Sequence, residues 1–275
     1  MRGSLVFLLA LGCGDGSSTT DDTTDTGSAD TGSTDTGEPP ACNAESSSGD
    51  TALGNTLAGV IRDADGTPLA EAEIGLCKQL CRTLCTDENG AFSYGEIADD
   101  TYSFHVRPPH GLEDELVEVV WPLSFAGETD VTQDVTLIAA PSFTDLPATA
   151  EEVEVAPGLR ITVGQGELKI LFEDDPTNIG ATPIETFEFG APSGTLVAGW
   201  YVMPYEAKAE AGLPVRFAND FGAAAGSTLR AYTSSYEDYD WVDLGTFTES
   251  NGFFEADGAS GTLPVLATLV LVDEG

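Results

Sequence analysis

Hydrophobic and polar positions alternate with a period of two through most of the chain after residue 55, and no stretch carries a helical period. In TLAGVIRDADGTPLAEAEIGL, a short strand meets the polar turn Asp63-Ala64-Asp65-Gly66. A second strand follows, with Ala72, Ile74 and Leu76 on one face. CTDENGAFSYGEIADDTYSFHV supplies an Asn89-Gly90 turn beside Phe92 and Tyr94, then a strand through Tyr102, Phe104 and Val106. Asn-Gly reaches the positive φ values of a type I′ turn cheaply, so the pair predicts a hairpin. Further on, LRITV, ELKILFE, ETFEF, TLVAGWYVM, LPVRFA, STLRAYTS, DWVDLGTFTE and TLPVLATLVLV predict strands, and Asn251-Gly252 repeats the hairpin signal. Short strands separated by turn chemistry predict an all-β chain of two antiparallel β-sandwich domains, at 55–138 and 151–275. AAPSFTDLPATA, at 139–150, reads as a linker. Trp200 and Trp241 are expected to anchor the second core, with a sugar-binding aromatic platform as the functional alternative.

The first fifty-four residues have a different texture. Arg2, the apolar run Leu5–Leu11, Gly12 and Cys13 form a charged end, a short hydrophobic segment and a small residue before a cysteine. The run is far below the roughly 20 residues that span a bilayer. It resembles a bacterial lipoprotein signal, in which Gly12 and Cys13 match while Ala10 and Leu11 depart from the common order. The resemblance implies a signal peptide over 1–12 and a lipid on Cys13, and so a membrane partner reached through Cys13. An ordinary secretory signal is the alternative. Residues 13–54 are a low-complexity Asp/Thr/Ser/Gly stretch without lysine or arginine, expected to be a disordered, self-repelling tether. Its D-T-G triplets match the aspartic-protease loop but lack flanking hydrophobic strands.

The central segment carries a second resemblance. Gly59, Val60, Asp63, Gly66, Pro68, Leu69, Ala72 and Ile74, then Thr86, Asp87, Gly90, Phe92, Thr101, Tyr102 and Val106, follow the order of the carboxypeptidase regulatory-like domain. This implies a transthyretin-like sandwich of about seven strands, usually non-catalytic, in exported bacterial proteins. Asp100 replaces a glycine that the pattern expects, and Cys77–Cys85 is a local variation.

Charge then narrows the partners. Ten Lys+Arg against 47 Asp+Glu give a net charge of −37, which repels phosphate backbones and so argues against nucleic acid. Beyond Cys13, the cysteines Cys42, Cys77, Cys81 and Cys85 are even in number and fit two disulfides in an oxidising compartment. The expected pairing is Cys77 with Cys85 across a hairpin and Cys42 with Cys81; a metal site is the alternative.

Catalytic constellations are scarce. His110-Gly-Leu-Glu113 matches the H-x-x-E of zinc carboxypeptidases, but His105 and His110 are the chain's histidines and none follows Glu113 to complete a three-ligand site. The same shortage removes Ser-His-Asp machinery. Glu173-Asp174-Asp175 offers carboxylates for a glycan hydrolase, and Asp238, Asp240 and Asp243 are the best calcium candidates. The expected protein is a non-enzymatic, cofactor-free, lipid-anchored component of the cell envelope, at the outer membrane or cell surface. Its role is binding or scaffolding, toward a protein or polysaccharide. The alternatives are a carboxylate-based glycan hydrolase in the C-terminal region and a secreted, calcium-stabilised adhesin. Intact mass of membrane-extracted protein should show a lipid-sized addition on the chain beginning at Cys13, absent from Cys13→Ala; equal masses apart from the substitution would refute the anchor.

Overall fold

Alternation in NTLAGVIRD buries Asn55, Leu57 and Ile61 on one side of the first strand, β1 (Asn55–Asp63). The computed structural model describes residues 54–127, 129–171, 174–256 and 261–275. The signal segment, the tether up to residue 53, Cys13, Cys42 and Glu173 lie outside the described residues. Seven more strands complete the first body: β2 (Glu73–Cys77), β3 (Cys81–Cys85), β4 (Ala91–Ile97), β5 (Asp100–Arg107), β6 (Val119–Phe125), β7 (Asp130–Thr132) and β8 (Val135–Leu137). They make two four-stranded sheets. One has β1 between β4 and the consecutive short strands β7 and β8, and the other runs β3-β2-β5-β6. The pairings of β1 with β7 and β8 are parallel, whereas every other pairing in this body is antiparallel. Leu57, Ile61 and Phe92 from the first sheet meet Ile74, Leu76, Phe104, Val106 and Trp121 from the second, and this apolar layer joins the two.

The second body comprises β9 (Thr144–Asp145), β10 (Glu151–Ala156), β11 (Leu159–Val163), β12 (Asn178–Pro183), β13 (Thr195–Met203) and β14 (Lys208–Ala218). It continues with β15 (Thr228–Ser234), β16 (Val242–Ser250), β17 (Phe253–Ala256), β18 (Thr262–Val265) and β19 (Thr268–Asp273). They form one hydrogen-bonded sheet in the order β10-β11-β14-β17-β16-β15-β19-β13-β12-β9, with β18 on β14. The sheet curls on itself, so Leu159, Ile161, Trp200, Phe217, Phe247, Phe254 and Leu269 share one core. The stretch read as a linker is tied in by β9, which pairs with β12. Two expected strands are irregular. Among the described residues, ELKILFE contributes one isolated bridge, Lys169 to Lys208, and ETFEF has no strand partner. Their alternation serves packing instead: Leu168 enters the second core, and Phe187 and Phe189 pack beside Trp121 and Trp241.

The two Asn-Gly pairs differ. Asn251 and Gly252 both have positive φ, 55° and 84°, and join β16 to β17 as a type I′ hairpin. At the first pair only Gly90 is positive, at 71°. Asp87 O accepts from Gly90 N, and Asp87 Oδ1 accepts from the backbone N–H groups of Asn89 and Ala91. The turn is therefore a type I turn closed by a left-handed glycine, and it carries the chain from β3 in one sheet to β4 in the other. A side chain at Gly90 would stand 2.4 Å from the carbonyl oxygen of Ile61. Gly90→Ala should therefore cost about 2–3 kcal/mol in urea unfolding. Gly66→Ala, whose φ is 83° but whose added carbon meets open space, should cost about 1 kcal/mol. Equal losses at the two sites would refute the contact argument.

Candidate functional site

The alternation of β5 places Phe104 and Val106 in the sandwich core and Ser103, His105 and Arg107 on the opposite face. Ser103 and His105 are nevertheless 1% exposed. Polar groups on an outward face are buried only if something covers them. The cover comes from the second body. Ser103 Oγ donates to the carbonyl of Ser235, and the hydroxyls of Ser234 and Thr268 both donate to the carbonyl of Val120 on β6. The His105 ring meets the Tyr236 ring edge-on, with centroids 5.1 Å apart. On the neighbouring strand, His105 lies opposite Gly75. A carbon added there would stand 1.9 Å from the imidazole Cε1, so Gly75 is the vacancy that admits the ring.

Charged groups gather around this joint. Arg107 donates from Nε to Glu118 at 2.8 Å and pairs with Glu73 at 3.4 Å, while His105 Nε2 stands 3.9 Å from Glu73. His105 and Arg107 hold the Glu73 carboxyl below its usual range, despite partial burial. At Glu118, burial outweighs Arg107 and pushes the carboxyl up. Glu206 enters from the second body and accepts from the backbone N–H of Tyr236. Burial pushes its carboxyl up to about 7, against the smaller opposing effects of that hydrogen bond and of Lys208.

The cysteines lie at one end of the same face. Cys77 is bonded to Cys81, which corrects the expected Cys77–Cys85 and Cys42–Cys81 pairing. The β2–β3 register is the reason: Cys77 faces Cys81, with Cα atoms 4.0 Å apart, whereas Cys85 faces Glu73. Cys85 is also disulfide-bonded. Cys81 Sγ lies 2.6 Å from the Tyr236 hydroxyl, and Cys77 Sγ lies 3.7 Å from His105 Nδ1.

A cleft of about 550 Å³ opens elsewhere between the bodies, lined by Thr136 and Ile138 on one side and by Thr182, Glu185, Glu188 and Tyr201 on the other. Glu188 accepts from the backbone N–H and the hydroxyl of Thr136. Tyr201 is 5% exposed, and its hydroxyl has no hydrogen-bond partner among the described residues. Burial, with a smaller contribution from Glu188, raises its pKa and keeps the phenol protonated.

The residues singled out in the sequence scatter. His110 and Glu113 do meet, Nδ1 to Oε1 at 2.8 Å, but as an exposed pair on a turn, and His105 is in the joint instead. Asp243 is forked onto Arg230, Asp238 bonds to Ser235, and Asp240 accepts from the backbone of Trp241. Among the described residues, no group of three or more His, Cys, Asp or Glu side chains is placed to hold a metal ion. Asp175 pairs with Lys169. Trp200 is in the second core, stacked on Phe217, whereas Trp241 packs on Phe189 at the joint. The sequence reading missed Glu73, Arg107, Glu118, Glu206 and Tyr201. The available signal was His105, a histidine inside an otherwise apolar and aromatic strand.

No family model matches the chain, and no curated protein matches it. Among solved structures it is similar to a Bacteroides uniformis protein provisionally assigned to carbohydrate binding (8% identity, 80% of this chain and 79% of that one, TM-score 0.26). It is also similar to the major pilin subunit of Bacillus cereus (12% identity, 76% and 85%, TM-score 0.28). A third is a DUF3823 family protein from Parabacteroides merdae (11% identity, 81% and 100%, TM-score 0.24).

Glu206 has a pH signature. Its carboxyl is raised from 4.5 in the free residue to about 7 in the fold, so its contribution to stability is fully present below pH 4.5 and is lost as pH rises through 7. Glu206→Gln should match the parent at pH 4.5 and exceed it at pH 8 by about 1–2 kcal/mol, allowing for the partial exposure of the group. Parallel stability curves across pH 4–8 would refute this assignment.

Proposed function

We propose that this chain is a non-catalytic protein of the cell envelope, anchored through lipidated Cys13 and carrying a neutral polysaccharide segment in the cleft beneath Tyr201. One observation carries the binding reading: a buried phenol, without a protein partner among the described residues, lines a cleft to which both bodies contribute. The hydroxyl opens on the cleft, where water can be its partner and a ligand hydroxyl can take that place. Thr136, Thr182 and Thr186 add hydroxyl oxygens, and Glu185 and Glu188 add carboxylate acceptors, all suited to sugar hydroxyls. The volume accommodates about one or two sugar rings. The carboxylates and the acidic balance of the chain favour an uncharged ligand over an anionic one.

The first body is read as a carboxypeptidase regulatory-like domain. Two four-stranded sheets, positive φ at Gly66 and Gly90, and Phe92 and Val106 in the core agree with the structural roles that the resemblance implies. In this reading residues 13–54 hold the two bodies away from the membrane.

Titration calorimetry against a panel of neutral and acidic bacterial polysaccharides tests the cleft. A neutral polysaccharide should bind, and Tyr201→Phe, which keeps the ring, should weaken it roughly tenfold, the worth of one hydrogen bond of about 1.4 kcal/mol. Unchanged affinity in the variant, or binding confined to acidic polysaccharides, would overturn this reading.

A further inference from the structure

One group in the joint is used neither by the cleft nor by the apolar packing. Glu73, His105 and Cys77 stand in a row across β2 and β5. Glu73 Oε1 lies 3.9 Å from His105 Nε2, and His105 Nδ1 lies 3.7 Å from Cys77 Sγ. The imidazole is 1% exposed and fills the space left by the missing side chain at Gly75. Cys77 is fully buried and Cys81 is half-buried, at the base of a loop formed by Lys78, Gln79 and Leu80. Leu80 is 87% exposed, which places solvent on the Cys81 side of the bond.

These facts give the disulfide two unlike ends. A disulfide exchanges fastest when one sulfur is reachable and the other leaves readily, and a nearby proton donor makes a sulfur a better leaving group. We propose that Cys77–Cys81 is a thiol–disulfide exchange site, attacked at Cys81 by an external dithiol, with His105 Nδ1–H as the donor that stabilises the departing Cys77 and Glu73 as the neighbouring carboxylate that biases the imidazole toward donating from Nδ1.

The step balances. A thiolate of the dithiol forms a bond to Cys81 Sγ, and the Cys77–Cys81 bond breaks. Cys77 Sγ leaves with the electron pair as a thiolate that accepts a hydrogen bond from His105 Nδ1–H. The reductant's second thiol gives its proton to water, and its sulfur attacks the reductant's own sulfur in the mixed disulfide. Cys81 departs as thiolate and takes a proton from water. The dithiol is oxidised to its disulfide, and the protein disulfide is reduced to one thiolate, Cys77, and one thiol, Cys81. Because Cys81 touches the Tyr236 hydroxyl, and Tyr236 is held by Glu206 through its backbone, reduction would be felt where the second body meets the sandwich.

The test uses the full chain and dithiothreitol, with timed alkylation and peptide mass spectrometry, and the disulfide formed by Cys85 as an internal reference. Cys77–Cys81 should open at least tenfold faster than the Cys85 bond. His105→Gln should slow it at least tenfold while leaving the Cys85 bond unchanged. Glu73→Gln should slow it by a smaller factor, about threefold. The fully reduced parent supplies a reading that needs no variant: thiolate absorbance against pH should show one sulfur ionising below about 7, against about 8.5 for an ordinary thiol. Equal opening of the two disulfides, equal slowing of both by His105→Gln, or reduced thiols that all ionise near the ordinary value would each overturn the proposal.

Discussion

Everything at the centre of this molecule depends on covering the outer face of β5 and β6. A strand with Phe104 and Val106 on one side and Ser103 and His105 on the other is buried on both, so its polar side chains and the Val120 carbonyl need partners inside the protein. Ser235 supplies one for Ser103, and Ser234 and Thr268 supply those of the Val120 carbonyl, whereas His105 Nε2 has no hydrogen-bond partner among the described residues. Beside these hydrogen bonds runs an aromatic series, Phe92 to Phe104 to Trp121 to Phe189 to Trp241, with centroid separations of 6.1, 5.3, 5.1 and 5.6 Å. Apolar contact supplies the attraction between the bodies, and the hydroxyl–carbonyl bonds fix their register.

The strands of the sandwich were legible because one face of each is apolar, and period-two alternation reports that directly. The joint was not, because its polar positions, Ser103, His105 and Arg107, look the same in sequence whether water or another sheet covers them. ETFEF failed for a related reason: Phe187 and Phe189 alternate as a strand would, yet they pack against aromatic rings with no neighbouring strand to bond. The disulfide turned on register. Cys77 and Cys81 oppose each other only because the intervening turn is tight, and no periodicity reveals that. Tyr201 reads as one more aromatic residue in TLVAGWYVM, and only the fold leaves its hydroxyl at a cleft.

The acidic balance acquires a structural meaning once the cations are placed. Among the described residues, every lysine and arginine other than Arg82 contacts a carboxylate, from Arg62 with Asp134 to Arg230 with Asp243 and Glu274. Arg82 lies over the Tyr94 ring. The positive charge is thus committed internally, at exposed pairs worth about 0–1 kcal/mol each, and the surplus carboxylates set the field that an approaching molecule meets.

The parallel pairing of β1 has a consequence for how the chain comes together. Thr56 is matched with Asp130 and Asp63 with Leu137, so the first strand closes its sheet with segments more than seventy residues later. A chain that emerges amino end first holds β1 with an unfilled edge until residue 137 is available. Its other neighbour, β4, arrives much sooner. Such long-range closure slows folding, because the entropy of the intervening loop is lost before the contacts form. During that interval the open edge of β1 is a row of unpaired backbone groups able to pair with another chain, so within the first body the earliest described strand is the last to have both edges filled.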